Sequence, residues 1–200
     1  MVQSNINSFG AAAMAGCGTY SKLEGFAFLP VTCFSQALAP FVGQNLGSNQ
    51  PERARKGVSR ALILAISATV IMMIPVMIFA EPIVAFFNSK PEVVSYGSLL
   101  LRWITPFYVL CCFNQIYAGA LRGAGNSKAP MVIMILSFVV FRQVYLFSMS
   151  RICNEIIPIA MSYPAGWLLS SMLTTIYYHR AQLGKTRLVE DDSGNSNQEA

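Results

Sequence analysis

Long apolar runs alternate with short polar stretches along most of the chain. Five runs reach the roughly 20 residues that a helix needs to cross a bilayer. These first to fifth predicted spans cover residues 25–47, 61–80, 98–121, 129–149 and 156–178. Residues 1–20 are small and apolar but too short for a further span, so they predict a helical stub, and residues 184–200 have the polar composition of a disordered tail. The pattern predicts an all-α membrane helix bundle over residues 1–180.

The composition supports lipid as the solvent of this bundle. Hydrophobic residues make up 54% of the 200 residues and charged residues only 12%, whereas a soluble domain averages about 25% charged residues. The net charge is +5, but the basic residues lie between apolar runs and do not form one polar face. They therefore indicate membrane orientation, and no nucleic-acid partner is expected.

The basic residues divide unequally between the two ends of the spans. Nine lie on one side: Arg53, Arg55, Lys56, Arg60, Arg122, Lys128, Arg180, Lys185 and Arg187. Three lie on the other: Lys22, Lys90 and Arg151. The positive-inside rule makes the richer side and the C-terminus cytoplasmic, in a multi-pass protein of the inner (plasma) membrane. Five spans then put a short, uncharged N-terminus outside, so we expect a preceding helix and a longer parent protein.

Two junctions on the basic side share one pattern. In PFVGQNLGSNQPERARKG and AGALRGAGNSKAPM a helix ends in glycines, a polar turn follows and basic residues flank it. Gly and Asn suit left-handed helix ends. The glycines of LRGAGNS do not predict a nucleotide site, because no strand precedes them and the GKS/T ending is absent.

The chain resembles the C-terminal lobe of the MATE (multidrug and toxic compound extrusion) family in several segments. These are the two junctions, the earlier FLP and the later FRQVYL (residues 141–146). The resemblance implies two six-helix lobes, of which residues 1–180 correspond to the end of the seventh helix through the twelfth. It also implies export of a drug or organic cation in exchange for H⁺ or Na⁺, by alternating access and with a missing N-terminal lobe as partner. No enzyme activity, organic cofactor or metal site is implied.

Ion coupling needs a carboxylate within the membrane, because an ionisable group must bind and release the cation. All nine acids, including Glu24 directly before the first predicted span, fall at predicted span ends, in loops or in the tail. Sodium-type members of the family often carry an acid in the tenth helix, which is the third span here. Residues 111–115 of that span contain none, so we expect the coupling carboxylate in the missing part.

The third span has the longest polar face, formed by Thr105, Tyr108, Cys112, Gln115 and Gly119 at steps of three or four. Asn114 lies about 100° to one side. Either these groups line a substrate cavity, or they form hydrogen bonds between helices worth about 0.6 kcal/mol on average. Both alternatives also apply to Gln36 in the first span. The candidate substrate-binding residues are Tyr108, Gln115, Asn114, Gln36 and Thr105.

Pro106 interrupts this span and predicts a local hinge, because proline opens the backbone hydrogen-bond ladder. Small residues at every fourth position of the first span, Ser35, Ala39, Gly43 and Gly47, predict close helix packing.

The other polar residues within the spans have structural explanations. Arg102 and Arg142 would each cost about 3 kcal/mol at mid-bilayer and are expected to reach toward outer headgroups, with a cavity or gating role as the alternative for Arg142. His179 is expected at the membrane interface, and the cysteines are expected to be packing residues.

Other functions remain as alternatives to drug antiport. A lipid-linked oligosaccharide flippase of the same superfamily would need a basic central cavity, and the chain could also be a truncated, non-transporting remnant. A membrane enzyme would need His, Asp or Glu clusters within the spans, which the sequence lacks.

Overall fold

The computed structural model describes residues 11–152 and 160–181, which are almost entirely helical and contain no strand. The helices are α1 (Ala11–Gly47), α2 (Pro51–Ile78), α3 (Ala80–Phe87), α4 (Pro91–Ile104), α5 (Tyr108–Gly123), α6 (Lys128–Ile135), α7 (Arg142–Ile152) and α8 (Ser162–Arg180). A 3-10 turn (Thr105–Phe107) joins α4 to α5, and a π-helical segment (Leu136–Phe141) joins α6 to α7. This all-α bundle is the predicted fold class.

Within the described residues, four helical stretches are long and apolar enough to cross a membrane: Met14–Gly47, Pro51–Ile78, Pro91–Gly123 and Lys128–Met149. They contain most of the first four predicted spans. The fifth predicted span begins outside the described residues, and its described part, α8, is helical but is not among those four. The polar tail at 184–200 and the first ten residues also lie outside the described part.

The beginning of α1 corrects one prediction. Residues 1–20 were expected to form a separate stub, but the described part, residues 11–20, continues without a break into the first predicted span. The polar stretch Ser21–Glu24 appeared to end the apolar run, yet Ser21 and Lys22 point outward while Tyr20 is buried. One helical face therefore keeps packing inside the bundle through the polar stretch, with Leu23 and Phe28 beside the Tyr20 cluster, and the helix continues.

The junction after α1 is also shorter than expected. The basic residues Arg53–Arg60 belong to the first turns of α2, and only Ser48–Gln50 connect the two helices. Asn49 adopts a left-handed conformation with φ of 54°, and Gly125 does so at the second junction with φ of 81°. Both residues fulfil the predicted role of Asn and Gly at helix ends.

The small residues of α1 pack directly against glycines of α5. A Cβ atom added to Gly119 would lie 2.6 Å from Ser35 Oγ, and one added to Gly123 would overlap the carbonyl oxygen of Ala39. A Cβ on Gly43 would lie 3.2 Å from the Gly123 carbonyl oxygen. The predicted close packing is confirmed up to Gly43.

A hydrogen-bonded chain reinforces this contact. Arg122 Nη2 donates to Ser35 Oγ at 3.0 Å, and Ser35 Oγ donates to the Gln115 carbonyl oxygen at 2.7 Å. The Ser35 hydroxyl of α1 thus provides hydrogen-bond partners for a backbone carbonyl and a charged side chain of α5. Such groups need partners within the protein where no water is available.

The outer surface of α2 is apolar and exposed. Its exposed side chains include Ile63, Leu64, Ile71, Ile74 and Ile78. Water would solvate such a face poorly, whereas lipid tails solvate it well. The surface therefore fits a helix that contacts the bilayer.

Candidate functional site

Three side chains from α1 and α5 form a continuous hydrogen-bonded chain inside the bundle. Tyr108 Oη donates to Tyr20 Oη at 3.1 Å, and Tyr20 Oη donates to Glu24 Oε1 at 3.2 Å. Both tyrosines are almost fully buried, with 1% and 3% exposure for Tyr20 and Tyr108, and Glu24 is half-buried. We call this chain the Tyr–Tyr–Glu relay.

The geometry of two helices explains why the relay forms. Tyr20 and Glu24 are four residues apart on α1 and therefore share a face. Tyr108 begins α5, directly after the 3-10 turn that contains Pro106. This turn confirms the predicted interruption of the helix at Pro106.

Aromatic rings surround the relay. The Tyr108 ring lies 5.2 Å from Phe28 and 5.4 Å from Trp167, and Tyr163 lies 6.3 Å from Trp167, between ring centroids. These are usual spacings for tilted and edge-to-face pairs. The rings pack α8 against α1 and α5 and exclude water from the buried end of the relay.

Arg142 lies near the carboxylate end of the same site. Its guanidinium carbon is 4.0 Å from the centroid of the Tyr163 ring, a cation–π contact. Its positive charge is near enough to attract Glu24, although the two described side chains form no ion pair. Its Nε is buried and has no hydrogen-bond partner among the described residues. Arg142 is seven residues from Met149, or about 10 Å along a helix, and is half-buried. It therefore takes part in an internal polar site, and its expected reach to outer headgroups stays a prediction.

Glu24 is a candidate functional residue that was not predicted from the sequence. Glu24 was expected directly before the first span, but it lies inside α1, so that expectation was wrong. The signal was present in the spacing of Tyr20, Glu24 and Phe28, which continues one helical face through the polar stretch.

The five predicted substrate-binding residues lie in different environments. Tyr108 belongs to the relay, and Thr105 is buried. Asn114 is buried, and its Oδ1 accepts hydrogen bonds from the hydroxyls of Ser170 at 3.0 Å and Thr174 at 3.1 Å. It therefore makes the interhelical contacts that were the alternative to a cavity role.

Gln115 and Gln36 are more accessible. Gln115 is half-buried and Gln36 is exposed. Gln36 lies on an exposed face of α1 together with Cys33, Pro40 and Gln44. The structure thus joins Tyr108 to a carboxylate, but it does not bring all five residues together. Their contact with substrate stays a prediction.

Two other polar side chains of the predicted spans, Arg102 and His179, lie near helix ends. Arg102 Nη2 is 3.1 Å from Glu81 Oε1, and both side chains are exposed. His179, next to the end of α8, contacts the rings of Tyr117 and Tyr178. Among the described residues no three His, Cys, Asp or Glu side chains are arranged to hold a metal ion.

The chain matches several known transporters. Residues 2–147 match the family model MatE. The probable multidrug resistance protein YpnP of Bacillus subtilis is 26% identical over 177 residues, which cover 88% of this chain and 40% of that protein. The probable multidrug resistance protein NorM of Thermotoga maritima is 30% identical, and the FAD transporter of Shewanella oneidensis is 29% identical. Each of these two matches covers 64% of this chain and 28% of the relative.

The fold also matches a solved transporter. The structure of the Vibrio cholerae MATE transporter VcmN in the bent form aligns with a TM-score of 0.81 at 21% identity, over 90% of this chain and 41% of that one. The chain thus spans about two fifths or less of the length of these proteins. The MATE resemblance predicted from the sequence is confirmed: this multi-pass membrane chain belongs to the MatE family of transporters.

Proposed function

We propose that this chain is the C-terminal lobe of a two-lobed antiporter, which exports drugs or organic cations in exchange for H⁺ or Na⁺. The observation that carries the proposal is the Tyr–Tyr–Glu relay beside Arg142 within membrane helices. An ionisable pair inside a membrane protein is costly and typically marks an ion or substrate pathway. Family membership supports the transporter class.

In this mechanism Glu24 binds and releases the coupling ion. When Glu24 is ionised, it accepts the Tyr20 hydrogen bond and attracts the Arg142 guanidinium. Binding of a cation cancels the charge and weakens the attraction to Arg142. A ligand shifts a conformational equilibrium by its different affinities for the two states. If the Glu24–Arg142 attraction is stronger in one of the inward-facing and outward-facing forms, the coupling ion binds the two forms with different affinities.

The donors around Glu24 favour a proton as the coupling ion. The neighbouring phenol Tyr20 donates to the carboxylate, and a proton needs only one oxygen acceptor. A sodium ion needs a shell of several oxygens. Sodium coupling is therefore the alternative that the experiment must separate.

Substrate would contact the accessible polar groups. Gln36 and the half-buried Gln115 offer amide hydrogen bonds, and Tyr108, Thr105 and Asn114 would contribute if the helices separate during transport. The resemblance to an FAD transporter makes FAD a useful test compound beside cationic dyes. The flippase alternative is less well supported, because Arg102 pairs with the exposed Glu81 and does not point to a pyrophosphate cavity.

Dye efflux tests this function directly. We expect residues 1–200 alone to confer no ethidium efflux on an efflux-deficient strain, because one lobe forms only half of a cleft. Joined to a first lobe, the chain should confer gradient-dependent efflux. Gln115→Ala and Gln36→Ala should then each lower resistance about fivefold for compounds that use the lost hydrogen bond, and compounds held by ring contacts should be less affected. Absence of efflux from the joined protein would leave the remnant alternative.

The orientation is a separate proposal with its own test. The basic first turns of α2 should face the cytoplasm. A cysteine at the exposed Ser59, in a background without the native cysteines, should resist a membrane-impermeant thiol reagent in intact cells. A cysteine at the exposed Ser89, between α3 and α4, is the matched control and should react. Equal labelling at both positions would reject the orientation.

A further inference from the structure

A groove of about 480 Å³ lies between α1 and α2, beside the Ser48–Gln50 junction. Its floor is apolar and comes from both helices: Phe34, Ala37, Leu38 and Phe41 from α1, and Ala61 and Leu64 from α2. Three basic side chains of α2 form its rim: Arg53, Lys56 and Arg60. The groove is therefore apolar along its length and cationic at its edge.

Small residues keep the groove open. Gly57 packs so closely against the Phe41 ring that an added Cβ would overlap it. Ala37 and Ala61 line the groove with only methyl groups. Larger side chains at these positions would fill the space.

The rim charges share one face of α2 at spacings of three and four residues, and all three side chains are exposed. Arg53 Nη1 donates to Gln50 Oε1 at 3.4 Å. Lys56 and Arg60 have no ion-pair partner in the described part of the chain. Glu52, in the first turn, is the only acid of α2, so the rim keeps a net positive charge.

The surroundings of the groove indicate lipid. Beside the rim, α2 exposes Ile63 and Leu64, which fit a bilayer-facing surface. From Arg53 to Leu64 is eleven residues, or about 16 Å at helical rise, which is long enough for much of one acyl chain. A soluble phosphate would not use the apolar floor, and an uncharged lipid would not use the rim.

We propose that this groove binds one anionic phospholipid. The head-group phosphate contacts Lys56 and Arg60, and one acyl chain follows the floor between α1 and α2. Basic pockets between membrane helices on the cytoplasmic side recognise anionic head groups by the same chemistry. The lipid would connect the two helices at the end where only three residues join them.

Lipid titration of the purified chain, followed by native mass spectrometry, tests the proposal. We expect phosphatidylglycerol to bind more tightly than phosphatidylcholine with the same acyl chains. The double variant Lys56→Gln/Arg60→Gln should weaken phosphatidylglycerol binding about 30-fold and leave phosphatidylcholine unchanged. The matched control Lys90→Gln/Arg102→Gln removes two charges at the other end of the bundle and should bind like the wild type.

A second variant tests the apolar floor. Ala61→Phe should lower binding of both lipids, because its ring fills the groove, and circular dichroism should show that the helices persist. Any of three results would overturn the proposal: equal affinity for the two lipids, an equal loss of phosphatidylglycerol binding in the control variant, or displacement of bound lipid by millimolar inorganic phosphate. So would lipid binding that requires removal of the acidic residues 190–192, because the tail would then be the natural occupant.

Discussion

Glu24→Gln is expected to abolish ion-coupled efflux in the two-lobed protein. Glutamine keeps the size of the side chain and can still accept the Tyr20 hydrogen bond, but it cannot bind or release a proton at neutral pH. The variant should therefore fold normally and remain in one protonation state, without the charge that attracts Arg142. Ethidium efflux from energised cells should fall to the level of cells without the transporter, at matched membrane expression.

The control for this prediction is Glu81→Gln. Glu81 is also a helical glutamate with an arginine neighbour, but it lies in the short helix α3 and its pair with Arg102 is exposed. Exposed ion pairs contribute little to stability, so this variant should export nearly as well as the wild type. Wild-type efflux by Glu24→Gln would exclude Glu24 as the coupling carboxylate, and equal losses in both variants would show a general sensitivity to removed charge.

Gly123→Ala is expected to destabilise the bundle strongly. The added Cβ would overlap the backbone carbonyl oxygen of Ala39 and approach Val42 Cβ at 2.9 Å. A backbone atom cannot rotate away as a side chain can, so α1 and α5 must separate along the stripe that contains Ser35 and Gly43. Overpacking typically costs about 1–3 kcal/mol, and we expect a loss at the upper end of that range. Thermal unfolding in detergent measures it.

Gly25→Ala provides the matched comparison. A Cβ on Gly25 meets nothing within 4 Å, and alanine favours a helix over glycine by about 1 kcal/mol. This variant should be as stable as the wild type or more stable. If Gly123→Ala is equally stable, the close contact between α1 and α5 does not exist in the membrane.

The sequence predicted those features that depend on local periodicity. The α2 span followed from one uninterrupted apolar run, and the packing of α1 followed from small residues at every fourth position. Pro106 predicted an interruption of the third span, because a missing N–H acts within one helical turn, and a 3-10 turn lies there. Each of these signals lies within a few residues of its effect.

The relay could not be predicted in the same way. Tyr108 and Tyr20 are 88 residues apart, and their contact depends on how α4, α5 and α8 pack around α1. The beginning of α1 was misplaced because a polar stretch of four residues resembles a span end. Only the packing shows that one side of this stretch, Leu23 and Glu24, is half-buried, and this error hid Glu24.

Transport by purified protein in liposomes tests the central claim most directly. Liposomes contain the complete two-lobed protein, either as wild type or as Glu24→Gln. Dye uptake is measured under a pH gradient, under a sodium gradient and without a gradient. A parallel assay measures exchange of labelled for unlabelled dye. The wild type should drive uphill dye transport with the pH gradient, and Glu24→Gln should lose that transport while it still exchanges dye. Uphill transport by Glu24→Gln at the wild-type rate would contradict the account.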